Sequence, residues 1–334
     1  MSLIGYALKG SLGTFLNKLD DVSKKTNKSK FWLFNDFVSS FILTGAGYSD
    51  YLNYEFYKRS KQEKKEYVTI KDQDKFYEIV SPSKYKTYFT YKANFLNNFK
   101  EYINRDFFYL GTKEELNAFI NKHEYFIYKP VDGLGGHDVK KVYTKDINLD
   151  DFFKEVSEKH ILLEEFIIQH PDMSLFTDRS VNTIRVMSFG YNGHSEILAA
   201  MMRIGDGNHD VDNFHQGGMG VIVNTETGEV ISDAVDKDNN TYEYHPISKV
   251  KFKGFKIPNW DKVKDMVLKA ALKNEHIHVV GWDVAVTEDS CTFVEGNRRP
   301  GFDLPQVLAN HGRKDMCRHC LEIINKAEGT NYKL

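Results

Sequence analysis

The stretch GWDVAVTEDSCTFVEGNRRPG, Gly281 to Gly301, decides how this chain is read. Two apolar runs joined by the acidic turn Glu288-Asp289-Ser290 have the pattern of a β-hairpin. Side chains two apart on a strand share a face, so the carboxylate of Glu295 and the amide oxygen of Asn297 converge on one spot. On the other arm Asp283 stands among apolar neighbours, where an unpaired carboxylate would be costly to bury and needs a cation or a hydrogen-bonding partner. Two carboxylates and an amide on adjacent strands make a divalent-cation site. Such oxygen ligands suit Mg²⁺, which takes one or two carboxylates from a protein and completes its shell with waters and phosphates. The bland alternative is a solvated hairpin end.

A cation of this kind calls for phosphate grips elsewhere. YKPVDGLGG supplies Lys129 on a strand as a point charge, followed by Gly133, Gly135 and Gly136, whose backbone can close its N–H groups over a polyphosphate. It is neither a Walker sequence nor a dinucleotide fingerprint, and taken alone a glycine cluster after a strand is a turn. In LLEEFII, Glu164 and Glu165 interrupt an apolar strand, so one of them points inward or sits at a break. A strand end that offers backbone N–H and C=O to a flat ligand, with an acid accepting from an exocyclic amine, suits adenine.

The bulk numbers set limits on function. With 334 residues, 41% apolar and 28% charged, the chain can hold a large core and two or three lobes. Its 45 basic and 47 acidic residues leave no basic field of the kind that nucleic acid demands. Cys291, Cys317 and Cys320 are too few for a disulfide framework and fit a reducing compartment, the cytoplasm. The pair in CRHC reads as buried thiols rather than a zinc site. No transmembrane segment is expected: Lys9 interrupts the first apolar run, and Asn35 and Asp36 break FWLFNDFVSSFILTGAG.

Along the chain, residues 1–90 read as mostly helical, with DYLNYEFYKRSKQEKKEY as one helix bearing aromatic residues on one side. Residues 91–170 carry an α+β pattern: a helix from Thr112, the strand YFIYKP, the Gly-rich loop, DVKKVY, an acidic helix and HILLEEFII. Residues 171–334 are strand-dominated, TIRVMSFGY, HSEILAAMMRIG and GGMGVIVNTETGEVISDAV preceding a helix capped by Asn259 and then the opening hairpin.

In this order, a Lys-Pro strand with its Gly-rich loop, an EEFI hinge and a closing Asp…Glu-x-Asn pair of strands resemble the ATP-grasp superfamily. QHPDMSLFTDRSVNTIRV, MMRIGDGNHDVDNFHQGGMG and GWDVAVTEDSCTFVEGNRRPG are similar more narrowly to the sugar-transfer-associated ATP-grasp family, linked to bacterial cell-surface polysaccharide biosynthesis. The match covers residues 80 to 312. It implies two α+β lobes gripping ATP and activation of a carboxylate as an acyl phosphate, with ATP and Mg²⁺ as cofactors. Lys129 then matches the phosphate lysine, Lys92 in YKANF an earlier one, and Glu164, Glu165, Phe166 and Ile167 the adenine hinge. Asp283, Glu295 and Asn297 match the magnesium ligands. Arg185 and Arg203 are expected on the γ-phosphate and acyl phosphate, since a guanidinium fork offers bidentate donors to spread phosphoryl charge. Internal salt bridges with Asp283 or Asp212 are the competing role for them.

Two departures stand out. Many such ligases carry an arginine just before the first metal aspartate, where this chain has Gly281 and Trp282, so Arg185, Arg203 or Arg298 must replace it or the chemistry differs. The N-terminal segment also lacks the α/β lobe that helps those ligases bind substrate. In DNFHQGG, Asp212, Asn213 and His215 are expected to contact an acceptor, as is Arg298, with a hydrogen-bonded turn as the alternative; His245 is similar in standing. The expected partners are a small carboxylate and a glycan precursor or amine, with peripheral attachment to membrane glycan-assembly machinery. A kinase for a sugar hydroxyl, with Asp212 or His215 as general base, is the second enzymatic reading, and a nucleotide-sensing scaffold the third.

Overall fold

Every residue of the strand Val279–Val286 is buried, which is what its run of Val, Ala and Trp demands. It is the second strand of the larger of two antiparallel sheets. The structure, a computed structural model, describes residues 12–90, 92–131, 139–207, 212, 214 and 217–334. The smaller sheet holds β1 (Phe107–Phe108), β2 (Tyr125–Pro130), β3 (Lys140–Tyr143) and β4 (Ile161–Glu165) in the order β1-β4-β2-β3. The larger holds β5 (Ile184–Tyr191), β6 (His194–Ile204), β7 (Met219–Val223), β8 (Ala234–Asp236), β9 (Thr241–Tyr242), β10 (Val279–Val286) and β11 (Cys291–Asn297) in the order β11-β10-β5-β6-β7-β8-β9.

The helix expected from Thr112 spans Lys113–Lys122, with Thr112 and Glu115 forming a capping box. Asn259 does precede the helix Trp260–Ala271, but it has a left-handed φ of 53° and its side chain caps nothing there. Its amide donates instead to the carbonyls of Thr287 and Glu288, bracing the turn of the β10–β11 hairpin. The run 50–67 is not one helix. Glu55 takes a left-handed φ of 50°, and Ser60 opens a fresh capping box with Glu63, so the segment splits into Tyr48–Asn53, a short 3₁₀ turn and Lys61–Glu66.

One face of the large sheet packs Trp282, Val284, Val186 and Met202 against the helix Trp260–Ala271. On the other face, Met187, Phe189, Ala199 and Met201 are covered by the helices Asp303–Ala309 and Lys314–Glu328. Cys317 and Cys320 are buried in that layer, where burial pushes both thiols up. The N-terminal helices keep a separate aromatic core around Phe15, Phe37, Tyr51 and Phe56. They are fastened to the sheet by Gln306, which exchanges hydrogen bonds with both backbone groups of Val68 at 2.7 and 3.2 Å.

The helices Thr87–Thr90 and Lys92–Asn98 back the hairpin. Phe89, Phe95 and Phe99 surround Trp282, which lies stacked on Phe293 with ring centroids 4.6 Å apart. This explains the glycine between Glu295 and Asn297: a Cβ on Gly296 would come within 2.5 Å of the Phe95 ring and 2.9 Å of Phe89. Gly296→Ala is therefore expected to lower the unfolding free energy by about 1–3 kcal/mol, the usual penalty for overpacking a core. Urea unfolding followed by circular dichroism measures it, and an unchanged midpoint would count against this packing.

Candidate functional site

Strands β10, β5 and β11 bring three charged residues into one row. Asp283 stands directly opposite Arg185 on one side and Glu295 on the other. The pairing of β10 with β11 shifts between Asp283/Val284, leaving Val294 as an extra residue. This bulge lets Phe293 and Gly296 face the aromatic core while Glu295 and Asn297 face Asp283.

Arg185 forks onto Asp283, its Nε donating to Oδ1 and its Nη2 to Oδ2 at 2.9 Å. Arg203, from β6, reaches Asp283 Oδ2 through Nη1 at 3.3 Å, Asp212 Oδ1 through Nη2 at 3.2 Å and Thr183 Oγ1 through Nε at 3.1 Å. Asp283 is fully buried; burial would raise its carboxyl, but Arg185 and Arg203 override that and hold it well below the usual carboxylate range. Glu295 goes the other way, pushed up by burial and then by Asp283 opposite it. Asn297 donates to Glu295 Oε1 at 3.1 Å. Glu295 and Asn297 offer oxygens of the kind Mg²⁺ takes, and Asp283, whose two oxygens already accept from Arg185 and Arg203, would share its remaining lone pairs with the ion.

Gly281 and Trp282 now make sense. A Cβ on Gly281 would stand 3.3 Å from Arg185 Cδ and 2.6 Å from Pro300, so the residue is kept small where the arginine stem passes. The guanidinium on Asp283 comes across the sheet from Arg185, with Arg203 second. Arg298 donates through Nη1 to the Ser81 carbonyl at 3.1 Å.

The small lobe supplies the opposing wall. Lys129 on β2 pairs with Glu164 on β4 at 2.5 Å. Arg105, buried beside them, also grips Glu164, its Nε donating at 2.8 Å, and donates through Nη1 to the Phe293 carbonyl at 2.6 Å. One guanidinium thus ties the small sheet to β11. Burial would raise the Glu164 carboxyl, but Arg105 and Lys129 together hold it at about 2. Lys92 donates to the Pro130 carbonyl at 3.4 Å; burial and then Lys129 depress its ammonium, while Glu295 and Glu164 act to raise it. Lys92, Lys129, Glu164 and Glu295, spread over 204 positions of sequence from 92 to 295, are therefore within electrostatic reach of one another.

Several expected roles change. The Glu164 carboxylate, expected at the adenine, is occupied by the two cations Arg105 and Lys129. Glu165 accepts from the Asp106 N–H at 2.9 Å, and Phe166 packs edge-on to Tyr125 at 5.6 Å, while Ile167 is half-buried. Asp212, expected to face an acceptor, is buried and accepts from the Thr183 N–H at 2.9 Å, the Thr183 hydroxyl and Arg203. His245 is fully buried, with Nε2 2.9 Å from the Gly205 carbonyl. Gly133, Gly135, Gly136, Asn213 and His215 lie outside the described residues. Arg105 and Thr183 went unread; the single sign of Arg105 is a basic residue set in the apolar run YINRDFFYL.

Among solved structures, the chain is similar to the ATP-grasp ligase PsnB complexed with minimal precursor, at 16% identity and a TM-score of 0.47 over 73% of this chain and 64% of that one. It is also similar to N5-carboxyaminoimidazole synthetase from Staphylococcus aureus complexed with ADP (10% identity, TM-score 0.45, 73% and 52%). A third is D-alanine–D-alanine ligase from Bacillus anthracis (15%, TM-score 0.40, 72% and 69%). The chain spans a little under two thirds of PsnB. No curated protein matches it. The sugar-transfer associated ATP-grasp profile matches residues 51–320, beginning within the N-terminal helices rather than at residue 80, and the chain belongs to that family, with its ATP-grasp fold.

Proposed function

We propose that this protein is an ATP- and Mg²⁺-dependent ligase, which phosphorylates a substrate carboxylate and passes the acyl group to an amine or similar nucleophile, in cell-surface polysaccharide biosynthesis. The observation that carries the reading is the convergence of Lys92 and Lys129 from one wall with Arg185, Arg203, Asp283 and Glu295 from the other. Asp283, Glu295 and Asn297 would hold the metal. Held there, Mg²⁺ would supply charge neutralisation for the polyphosphate. Lys92 and Lys129 act as point charges toward phosphate oxygens, and the hinge Glu164, Glu165, Phe166 and Ile167 receives the adenine through its backbone. Arg185 and Arg203 are preorganised: each is fixed by carboxylates, so no side-chain ordering remains when negative charge develops beside them. Positioning and charge therefore account for the chemistry, and no side chain needs to become a covalent carrier.

A hydroxyl kinase needs a general base at the acceptor. Of the two candidates, Asp212 is a poor one, because its carboxylate is engaged by Thr183 and Arg203, while His215 lies outside the described residues. The family's sugar-transfer association supports a glycan precursor or amino compound as acceptor. Three free buried cysteines are consistent with the cytoplasm.

The test is Mg²⁺-dependent ADP release in hydroxylamine, across amino acids, uronic acids and other small carboxylates. Hydroxamate forming with one of them is the expected result. A stable phosphorylated product without hydroxamate would overturn the ligase in favour of the kinase.

A further inference from the structure

The helix Lys30–Thr44 is apolar on both sides. Leu33 and Phe37 enter the N-terminal core, yet Phe31 is 76% exposed and Ile42 78%, with Phe34, Val38 and Trp32 exposed as well. Positions 31, 34, 38 and 42 fall on one helical face. Between them lie Asn35 and Ser39, also exposed, so the face carries no ionisable group. Asp36, which the sequence sets in the middle of this run, is turned inward. Its carboxylate accepts from Lys64 at 2.7 and 2.9 Å and from the Tyr51 hydroxyl at 3.1 Å. A contiguous apolar face of this kind on a protein surface marks an interaction site.

Charge points to the partner. The chain entering this helix carries Lys24, Lys25, Lys28 and Lys30 within seven residues, next to Phe31 and Trp32. Asp20 is bridged by Lys24 at 3.0 Å and Lys30 at 2.6 Å, which neutralises it. Lys28 sits 3.8 Å from the centroid of the Trp32 ring. Over residues 12–44 there are five lysines and three aspartates, and one of those, Asp36, faces the core. A charge-free apolar face with an indole at its edge and a lysine rim is complementary to an anionic lipid surface: acyl chains below, phosphates beside the ammonium groups.

We propose that this face docks the protein on an anionic membrane, the helix lying in the headgroup layer with Phe31, Phe34, Val38 and Ile42 toward the acyl chains. It lies on the membrane and does not cross it. Fifteen residues rise only about 22 Å, against roughly 30 Å of hydrocarbon, and no helix of the described residues is long and apolar enough to span. The inference goes beyond the ligase reading and is tested without ATP.

The full chain is mixed with vesicles of phosphatidylcholine containing about 30 mol% phosphatidylglycerol, or with phosphatidylcholine alone, and floated. Flotation with the anionic vesicles is expected, at least about tenfold weaker without phosphatidylglycerol. Trp32 reports insertion by a blue shift, because Trp260 and Trp282 are buried. Phe31→Ser/Val38→Ser/Ile42→Ser is expected to reduce binding by about 100-fold with an unchanged melting curve, since these side chains are exposed. Lys24→Gln/Lys25→Gln should weaken only the anionic binding, by about tenfold. Wild-type protein that floats with neither vesicle, or equally with both, would overturn the proposal. So would a concentration-dependent dimer, abolished by the triple serine variant without any flotation, which would give the face to a second copy.

Discussion

Arg105→Met is expected to lower the unfolding free energy by about 3–5 kcal/mol, the range found when one partner of a buried ion pair is removed. The side chains of Arg105 and Glu164 are 2% and 3% exposed, so the carboxylate has no water to fall back on. Lys129 alone would remain beside it, and the carbonyls of Phe293 and Val294 would each lose a donor. The pH dependence follows from the direction of the shift. Glu164 is held at about 2 in the folded chain, below its unfolded value. Its contribution is therefore fully present above roughly pH 4.3 and is lost as pH falls toward 2. The gap between wild type and Arg105→Met should accordingly be wide at pH 7 and narrow toward pH 2. Adding Glu164→Leu to Arg105→Met should restore part of the loss, because it removes the stranded charge. Urea titrations of the three proteins at pH 7 and at low pH measure this. A loss below about 1 kcal/mol for Arg105→Met at pH 7 would mean that the network does not join the lobes as described.

That network also shows where sequence reasoning reached its limit. The i, i+2 spacing of Glu295 and Asn297 and the isolation of Asp283 among apolar residues are local signals, and strand pairing places these residues side by side. Lys129 and Glu164 were legible for the same reason: each is a charge on an apolar strand. Arg105 is not local in this sense. It lies 59 positions from Glu164 and 188 from Phe293, and only the folded topology brings those together. The bulge before Glu295 was equally hidden. Strict alternation would put Phe293 and Glu295 on one face, and it is the extra residue at Val294 that separates the core ring from the site carboxylate. The run 50–67 was misread as continuous because its aromatic spacing hid the left-handed turn at Glu55 and the cap at Ser60. The glycines Gly281 and Gly296 are set by what crosses them, an arginine stem and two phenylalanine rings.

Glu295→Gln is expected to abolish most turnover while leaving the metal-free fold intact, and this separation makes it the sharpest test of the metal assignment. Asp283→Asn is less informative. It would strip Arg185 and Arg203 of their shared anion, leaving two buried cations, so lost activity could follow from lost structure. Glu295 stands differently, because burial and then Asp283 push its carboxyl up and discourage ionisation. A neutral amide of the same shape removes the repulsion from Asp283 at little expense and still accepts from Asn297. Urea stability without metal should thus be unchanged or slightly raised. What the amide lacks is the charge that a divalent ion requires. Turnover with Mg²⁺ should fall on the order of 10²–10³-fold, as when one preorganised electrostatic contact to the reacting centre is removed. The binding readout is independent of activity. At a nucleotide–Mg²⁺ concentration about 100 times the dissociation constant, the wild type should gain roughly 2.7 kcal/mol of stability, and Glu295→Gln at the same concentration most of that less. Undiminished Mg²⁺-dependent turnover in the folded Glu295→Gln protein would remove Glu295 from the metal site and leave Asp283 as a structural anchor for two arginines.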